Sequence, residues 1–181
     1  AGTEEALSKR TGWALKLNWR GVTELQQAQW LVRSFLSFIQ RDVDRAYLYY
    51  FDDNDEPGVH ASSGITRKFQ PKPAYWAVKH FYETLGEFRL NRVVNQKAGE
   101  PAILEFVHGS DPSSLIWVAW LPTGEDREIL VPFTRLPGKP YKMEKMPVAD
   151  GEAPQVEPQR PHAGGFSAPV GESPVYLYMK K

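Results

Sequence analysis

Three aspartates, Asp52, Asp53 and Asp55, stand just after the aromatic run Tyr47-Leu48-Tyr49-Tyr50-Phe51, and His60 follows in the same stretch. A carboxylate at the mouth of a strand accepts several hydrogen bonds and can fix the orientation of a hydroxyl-bearing ligand. The rings of Tyr50 and Phe51 offer apolar faces beside those acceptors. Each residue also has a plainer reading. The acids can solvate a strand end or cap a turn, and His60 can be an exposed loop residue. The aromatics can belong to a core, which side-chain alternation along a strand requires of some of them. Arg67 and Lys72 can meet an anionic ligand or be solvated surface. Residues 52–56 hold four acids around Asn54 but lack the glycine and closing glutamate of a hand-type calcium loop. The four histidines, His60, His80, His108 and His162, are too scattered for a local metal motif, and without cysteine there is no thiolate site, nucleophile or disulfide. No metal and no cofactor is expected.

The elements that would position these residues are legible on either side. Residues 45–55 read as a strand buried on both faces whose apolar run ends abruptly in an acidic loop. Ahead of it, Thr23 and Gln26 form a capping box, and Ala28, Leu31, Val32, Phe35 and Ile39 recur at helical spacing, which predicts a helix over about 24–40. Gln27, Arg33, Ser37 and Gln40 fall on its other faces. Behind it, residues 59–69 form a loop, and Pro71-Lys72-Pro73 opens a second helix with Ala74, Val78, Phe81, Tyr82 and Leu85 inward and Gly86 at its end. Strands alternating with helices imply a parallel sheet with its active loops at the strands' carboxyl ends. The first 21 residues, with Trp13 and Trp19, fit a short strand or extended arm.

From residue 89 the period changes to alternation. Strands are predicted over 89–94, 102–108, 115–121, 128–133, 141–146 and 175–179, punctuated by turns such as Asp111-Pro112-Ser113, as in an antiparallel sandwich. The Pro- and Gly-rich stretch 150–171 reads as a long surface loop. Trp117 and Trp120 have opposite parity, so one faces the core and the other outward. The fold class is thus α/β followed by all-β, with domains at 1–88 and 89–181.

Composition narrows the partners. Lysine plus arginine equals aspartate plus glutamate at 22 each, so no net field attracts nucleic acid or an acidic membrane. Nothing approaches the roughly 20 apolar residues of a membrane span, and no signal core opens the chain. Its start at Ala1 rather than Met is read as a product of processing, cleavage or design, with more sequence upstream.

Several segments in order carry a resemblance: Gln27-Ala28-Gln29-Trp30-Leu31-Val32-Arg33-Ser34, Asp44-Arg45-Ala46-Tyr47 with Phe51-Asp52-Asp53, Ser63-Gly64-Ile65, and Pro71-Lys72-Pro73-Ala74-Tyr75. Together they resemble the end of a retaining glycoside hydrolase barrel of clan A, in the neighbourhood of family 39. In that group a small β-sandwich commonly follows, ending in a strand like Glu172-Ser173-Pro174-Val175-Tyr176-Leu177. The resemblance implies the terminal βα units of a (β/α)8 barrel with an appended antiparallel β-sandwich, and retaining hydrolysis of a β-linked glycoside or polysaccharide. It implies Tyr50, Phe51, Asp52, Asp53, Asp55 and His60 as substrate-binding residues, with Asp53 the closest match to the family's strand-end aspartate. A secreted or periplasmic location is favoured on the same ground.

The departures are equally specific. A complete barrel needs about 250 residues. The family's catalytic Asn-Glu pair occurs nowhere in the chain, and Thr3-Glu4 and Thr23-Glu24 match the nucleophile's context without a preceding apolar strand. Retaining hydrolysis needs two carboxyl groups about 5 to 5.5 Å apart. The expectation is that these residues supply no catalytic residue and one wall of a cleft, the rest coming from an upstream barrel segment or a companion chain. The alternative is a non-catalytic carbohydrate-binding or assembly module built on a partial barrel. An outward Trp of the 117/120 pair would then be a binding platform rather than packing.

Overall fold

The computed structural model describes residues 22–54, 63–122, 127–162 and 164–181. The chain divides into two compact units, one of residues 1–79 with 148–150 and the other of residues 80–147 with 151–181. Among the described residues no helix is long and apolar enough to cross a membrane.

The first described helix of the first unit is α1, Glu24–Gln40. Its start is fixed as the sequence predicts. The Gln26 amide donates to Thr23 Oγ1 and the Thr23 amide to Gln26 Oε1, both at 3.1 Å, so two amides that the helix cannot pair internally are satisfied. Ala28, Val32, Phe35 and Leu36 are buried, but so are Gln27 and Gln29, against the expectation that Gln27 lies on another face.

Residues 45–51 do not form the strand expected of them. They are irregular and bend at Tyr49 and Phe51, with Ala46 and Leu48 half-buried and Tyr47 and Tyr49 80% and 88% exposed, and the ladder shrinks to one parallel bridge, Asp52 to Thr66. The physical reason is that an apolar extended segment becomes a strand only when its amides and carbonyls find a neighbouring backbone. Among the described residues, Phe51 and Asp53 find one in Ile65 and Thr66. The partner segment leads into a two-residue hairpin between β1, Thr66–Arg67, and β2, Gln70–Pro71, whose central residues Lys68 and Phe69 both have positive φ, 50° and 58°. Such turns favour Asn and Gly. Here Asp52 Oδ1 accepts the Phe69 amide at 3.1 Å and holds the turn. Helix α2, Pro73–Leu85, follows, and Tyr82, expected inward, is exposed.

The second unit holds the β-rich part. Strands β3 (Phe88–Asn95), β4 (Ala102–His108), β5 (Ser114–Trp120), β7 (Lys139–Lys145) and β10 (Val175–Lys180) form one sheet in the order β3-β4-β5-β10-β7. Strands β6 (Ile129–Thr134), β8 (Gln159–His162) and β9 (Gly165–Val170) form another in the order β6-β9-β8. All the strand pairings are antiparallel. Leu115, Trp117, Met143, Leu177 and Met179 from the first sheet and Val131, Phe133, Phe166 and Ala168 from the second share one apolar core, with Phe133 stacked on Phe166 at 5.5 Å.

Two expectations are corrected here. The stretch 150–171 is not simply a loop: it contains β8 and β9, because Phe166, Ala168 and Val170 alternate inward and pair with β6. Its Pro and Gly content hid that period, and Pro169 fits because it lies beyond the residues that β8 pairs. Both tryptophans of β5 are buried, Trp117 at 3% and Trp120 at 5% exposure, so neither offers an exposed ring. Trp117 Nε1 donates to Glu105 Oε2 at 2.8 Å on the core face, where Asn91 and a two-pronged Arg92 also hold that carboxylate. Burial raises its pKa, but these donors outweigh it and keep Glu105 below the usual carboxylate range.

Candidate functional site

The aspartates at the end of the aromatic run sit in a network that joins three elements of the first unit. The Asp53 side chain is buried, and its oxygens accept from Lys72 Nζ at 3.0 Å, Arg67 Nε at 3.1 Å and the Gly64 amide at 3.0 Å. Lys72, only 4% exposed, also donates to the Gly64 carbonyl at 2.7 Å. The reading of Lys72 as solvated surface is therefore corrected: a buried ammonium is tolerable only with a partner, and Asp53 is that partner. Arg67 reaches on to Glu24 at 2.9 Å, which ties the hairpin to the first turn of α1. Asp52 Oδ1 accepts the Thr66 hydroxyl at 2.7 Å besides the Phe69 amide, and the Thr66 bond leads the interactions that lower its pKa.

The segment this network grips is Ser63-Gly64. A side-chain carbon on Gly64 would lie 2.4 Å from the Asp52 carbonyl carbon and 2.6 Å from the Asp53 nitrogen, so only glycine lets the two backbones approach this closely. From the other side, Gln27 Nε2 donates to the carbonyls of Ser63 and Gly64 at 3.2 and 3.1 Å. A buried glutamine on α1 and a buried lysine at the start of α2 thus clamp one turn of backbone.

Against that turn lies an open cleft of about 600 Å³. Gln27, Trp30, Leu31 and Ser34 of α1 line it at i, i+3, i+4 and i+7, a single helical face, with Tyr49, Tyr50, Ser63 and Val22 opposite. Trp30 and Tyr50 are partly exposed, at 39% and 37%, and the Tyr49 and Tyr50 rings meet edge to face at 4.7 Å. Aromatic faces with a few amide and hydroxyl groups suit a ligand that is part apolar and part hydrogen-bonding.

The sequence-derived candidates divide accordingly. Tyr50 lines the cleft. Phe51 is exposed but outside its lining, and Asp52 and Asp53 support the cleft's wall from behind rather than facing into it. Asp55 and His60, like Trp13 and Trp19, lie outside the described residues. Glu24, next to the N-cap Thr23, is paired with Arg67. The sequence reading missed Trp30, Gln27, Ser34 and Ser63 as cleft residues. Their signal was a mixed polar and aromatic face at helical spacing, which packing explained equally well.

No family model and no curated protein matches the chain. Among solved structures it is similar to a family 39 glycoside hydrolase from the gut symbiont Bacteroides cellulosilyticus WH2, at 20% identity and a TM-score of 0.66, over 87% of this chain and 31% of that one. The likeness at this identity is one of fold. Two helices followed by a mostly antiparallel β-rich region therefore resemble part of a glycoside hydrolase structure.

Proposed function

We propose that this chain is the carboxyl-terminal portion of a retaining glycoside hydrolase acting on a β-linked glycoside or polysaccharide. Residues 1–88 are the last part of its (β/α)8 barrel and residues 89–181 an appended β-sandwich. One observation carries this reading: an aromatic run of strand composition finds a single bridge, at Asp52, in a chain whose fold matches 31% of a hydrolase chain. The exposed rings of Tyr47, Tyr49 and Tyr50 are what a neighbouring barrel segment would cover, from upstream in the chain or from a companion.

In this reading the catalytic carboxylates come from that other part. The present residues close the barrel and build one wall of the cleft, where Trp30, Tyr49 and Tyr50 meet sugar rings and Gln27, Ser34 and Ser63 meet hydroxyls. Asp53 is a positioning residue, acting through Ser63-Gly64, and Phe51, Asp52, Asp55 and His60 belong to the same wall. No cofactor takes part. The second reading, a non-catalytic binding or assembly module, is favoured by the same exposed aromatics.

The denatured mass of the protein, with its terminal peptide, separates the two. A mass well above 20.6 kDa, or a companion chain, with hydrolysis of β-glycosides that Trp30→Ala slows about tenfold, is the expected result. A mass of 20.6 kDa with no companion and no hydrolysis would overturn the enzyme in favour of the binding module.

A further inference from the structure

The second unit carries a groove of its own. In the register of β7 and β10, Tyr178 pairs with Lys142 and Tyr176 with Glu144, which places these four on one face of the sheet, while Met143 and Leu177 occupy the core face. His80 and Thr84, on the carboxyl half of α2, meet that outer face, with the His80 ring 4.8 Å from that of Tyr176. Residues 153–156 run beside the edge strand β7, through the bridge of Glu144 to Gln155 and the bonds from Lys145 N to Pro154 O and from Val156 N to Met143 O.

Between these walls lies a pocket of about 600 Å³ lined by His80, Thr84, Lys142, Glu144, Gln155 and Tyr178, among others. Its floor is Glu144, almost wholly buried, which accepts from the Tyr178 hydroxyl, from His80 Nε2 at 2.9 Å and from Lys142 Nζ at 2.5 Å. Burial opposes its ionisation, but the bonds from Lys142, Tyr178 and His80 outweigh that and hold its pKa below the ordinary carboxylate value. A carboxylate has no proton to give, so His80 donates through Nε2, and its Nδ1 is left buried without a hydrogen-bond partner. Gln155 is held loosely, by Nε2 at 3.5 Å from Glu144 and 3.1 Å from the Ala153 carbonyl, so its own carbonyl oxygen is available to an incoming donor. A second pocket of about 300 Å³ shares Lys142 and Gln155 with the first and extends past Tyr141 and Phe166. Lys142 and Gln155 are thus a wall common to the two pockets.

We propose that this groove is an accessory binding site for a neutral oligosaccharide, distinct from the cleft of the first unit. Sugar hydroxyls both donate and accept, and the groove alternates the two: Lys142 and the Gln155 amide donate, Glu152 and the Gln155 carbonyl accept, and Thr84 does either. Tyr141, 66% exposed, presents a ring where the groove lengthens, 6.2 Å from that of Tyr178. Glu83, Glu144 and Glu152 against Lys142 leave the larger pocket net negative, which disfavours anionic glycans. The shared wall favours a chain over a single sugar.

The test is titration calorimetry of the full chain with neutral cello-, manno- and xylo-oligosaccharides from disaccharide to hexasaccharide. At least one series is expected to bind, more tightly with length. Tyr141→Ala and Gln155→Ala, both at exposed positions, should each weaken it about tenfold, the loss of one ring contact or one hydrogen bond, with unchanged melting temperature. Trp30→Ala, in the other cleft, should leave this binding intact, so failure here is distinguishable from failure of the hydrolase reading. Absence of binding by every series, or binding indifferent to both groove substitutions, overturns the proposal.

Discussion

The two units solve the same problem, pairing extended backbone, to different degrees. In the β-rich unit the strands are antiparallel and many neighbours in space are neighbours in sequence, so β3, β4 and β5 pair through short turns and the sheet completes itself. In the first unit the aromatic segment before Asp52 has the composition of a parallel strand, and parallel strands take their partners from distant parts of a chain. Among the described residues the segment gains one bridge, and its order comes from side chains instead: Asp53 with Lys72, Asp52 with Thr66, Gln27 with Ser63-Gly64. The β-rich unit closes its sheets over one apolar core, whereas the segment at Asp52 is held by a buried charge network.

That contrast can be broken at its strongest point first. Phe133→Ala empties the middle of the shared core and should cost about 4 kcal/mol, read as a fall in the denaturant midpoint. Hydrogen exchange should accelerate across β5, β6 and β9, while α1 keeps its protection; acceleration of α1 to the same degree would mean that the units unfold as one.

Next in size is Lys72→Met, which leaves the Asp53 carboxylate buried with Arg67 as its remaining cation. It should cost about 3 kcal/mol. Exchange should rise at Ile65, Thr66 and Phe69 amides and stay unchanged in β10. A loss below about 0.5 kcal/mol would mean that the ion pair is dispensable.

The smallest effect is on pH dependence. Glu144 and Glu105 have pKa values lowered from about 4.5 in the folded state. The folded protein therefore binds fewer protons than the unfolded one, and the stability they contribute is present above that value and lost as pH falls through their folded values. The melting temperature of the β-rich unit should fall as the pH drops below the ordinary carboxylate value of 4.5, and Glu144→Gln should flatten that slope. An unchanged slope would assign the acid sensitivity elsewhere.

Much of this was readable beforehand where the cause is local. The capping box of Thr23 and Gln26 set the start of α1, Pro73 set that of α2, and alternation marked most strands of the β-rich unit. Local rules failed where a period was interrupted, as at Pro169 in β9, and where a polar residue was buried. Gln27 and Lys72 look like solvent-facing residues in sequence, and the carbonyls of Ser63 and Gly64 and the carboxylate of Asp53, all distant in sequence from Gln27, help make their burial favourable.

The candidate site divides along the same line. Sequence alone marked the aromatic-to-acidic junction, Tyr50 to Asp55 with His60, as one candidate neighbourhood, because residue type and order are local facts. Tertiary structure decided the roles within it. It turned Asp53 toward Lys72 and Arg67, put Tyr50 opposite the α1 face of Gln27, Trp30, Leu31 and Ser34, and gathered His80, Lys142 and Tyr178 around the Glu144 carboxylate. Which partner a buried charge finds depends on residues as many as 64 positions away, and no local pattern encodes that distance.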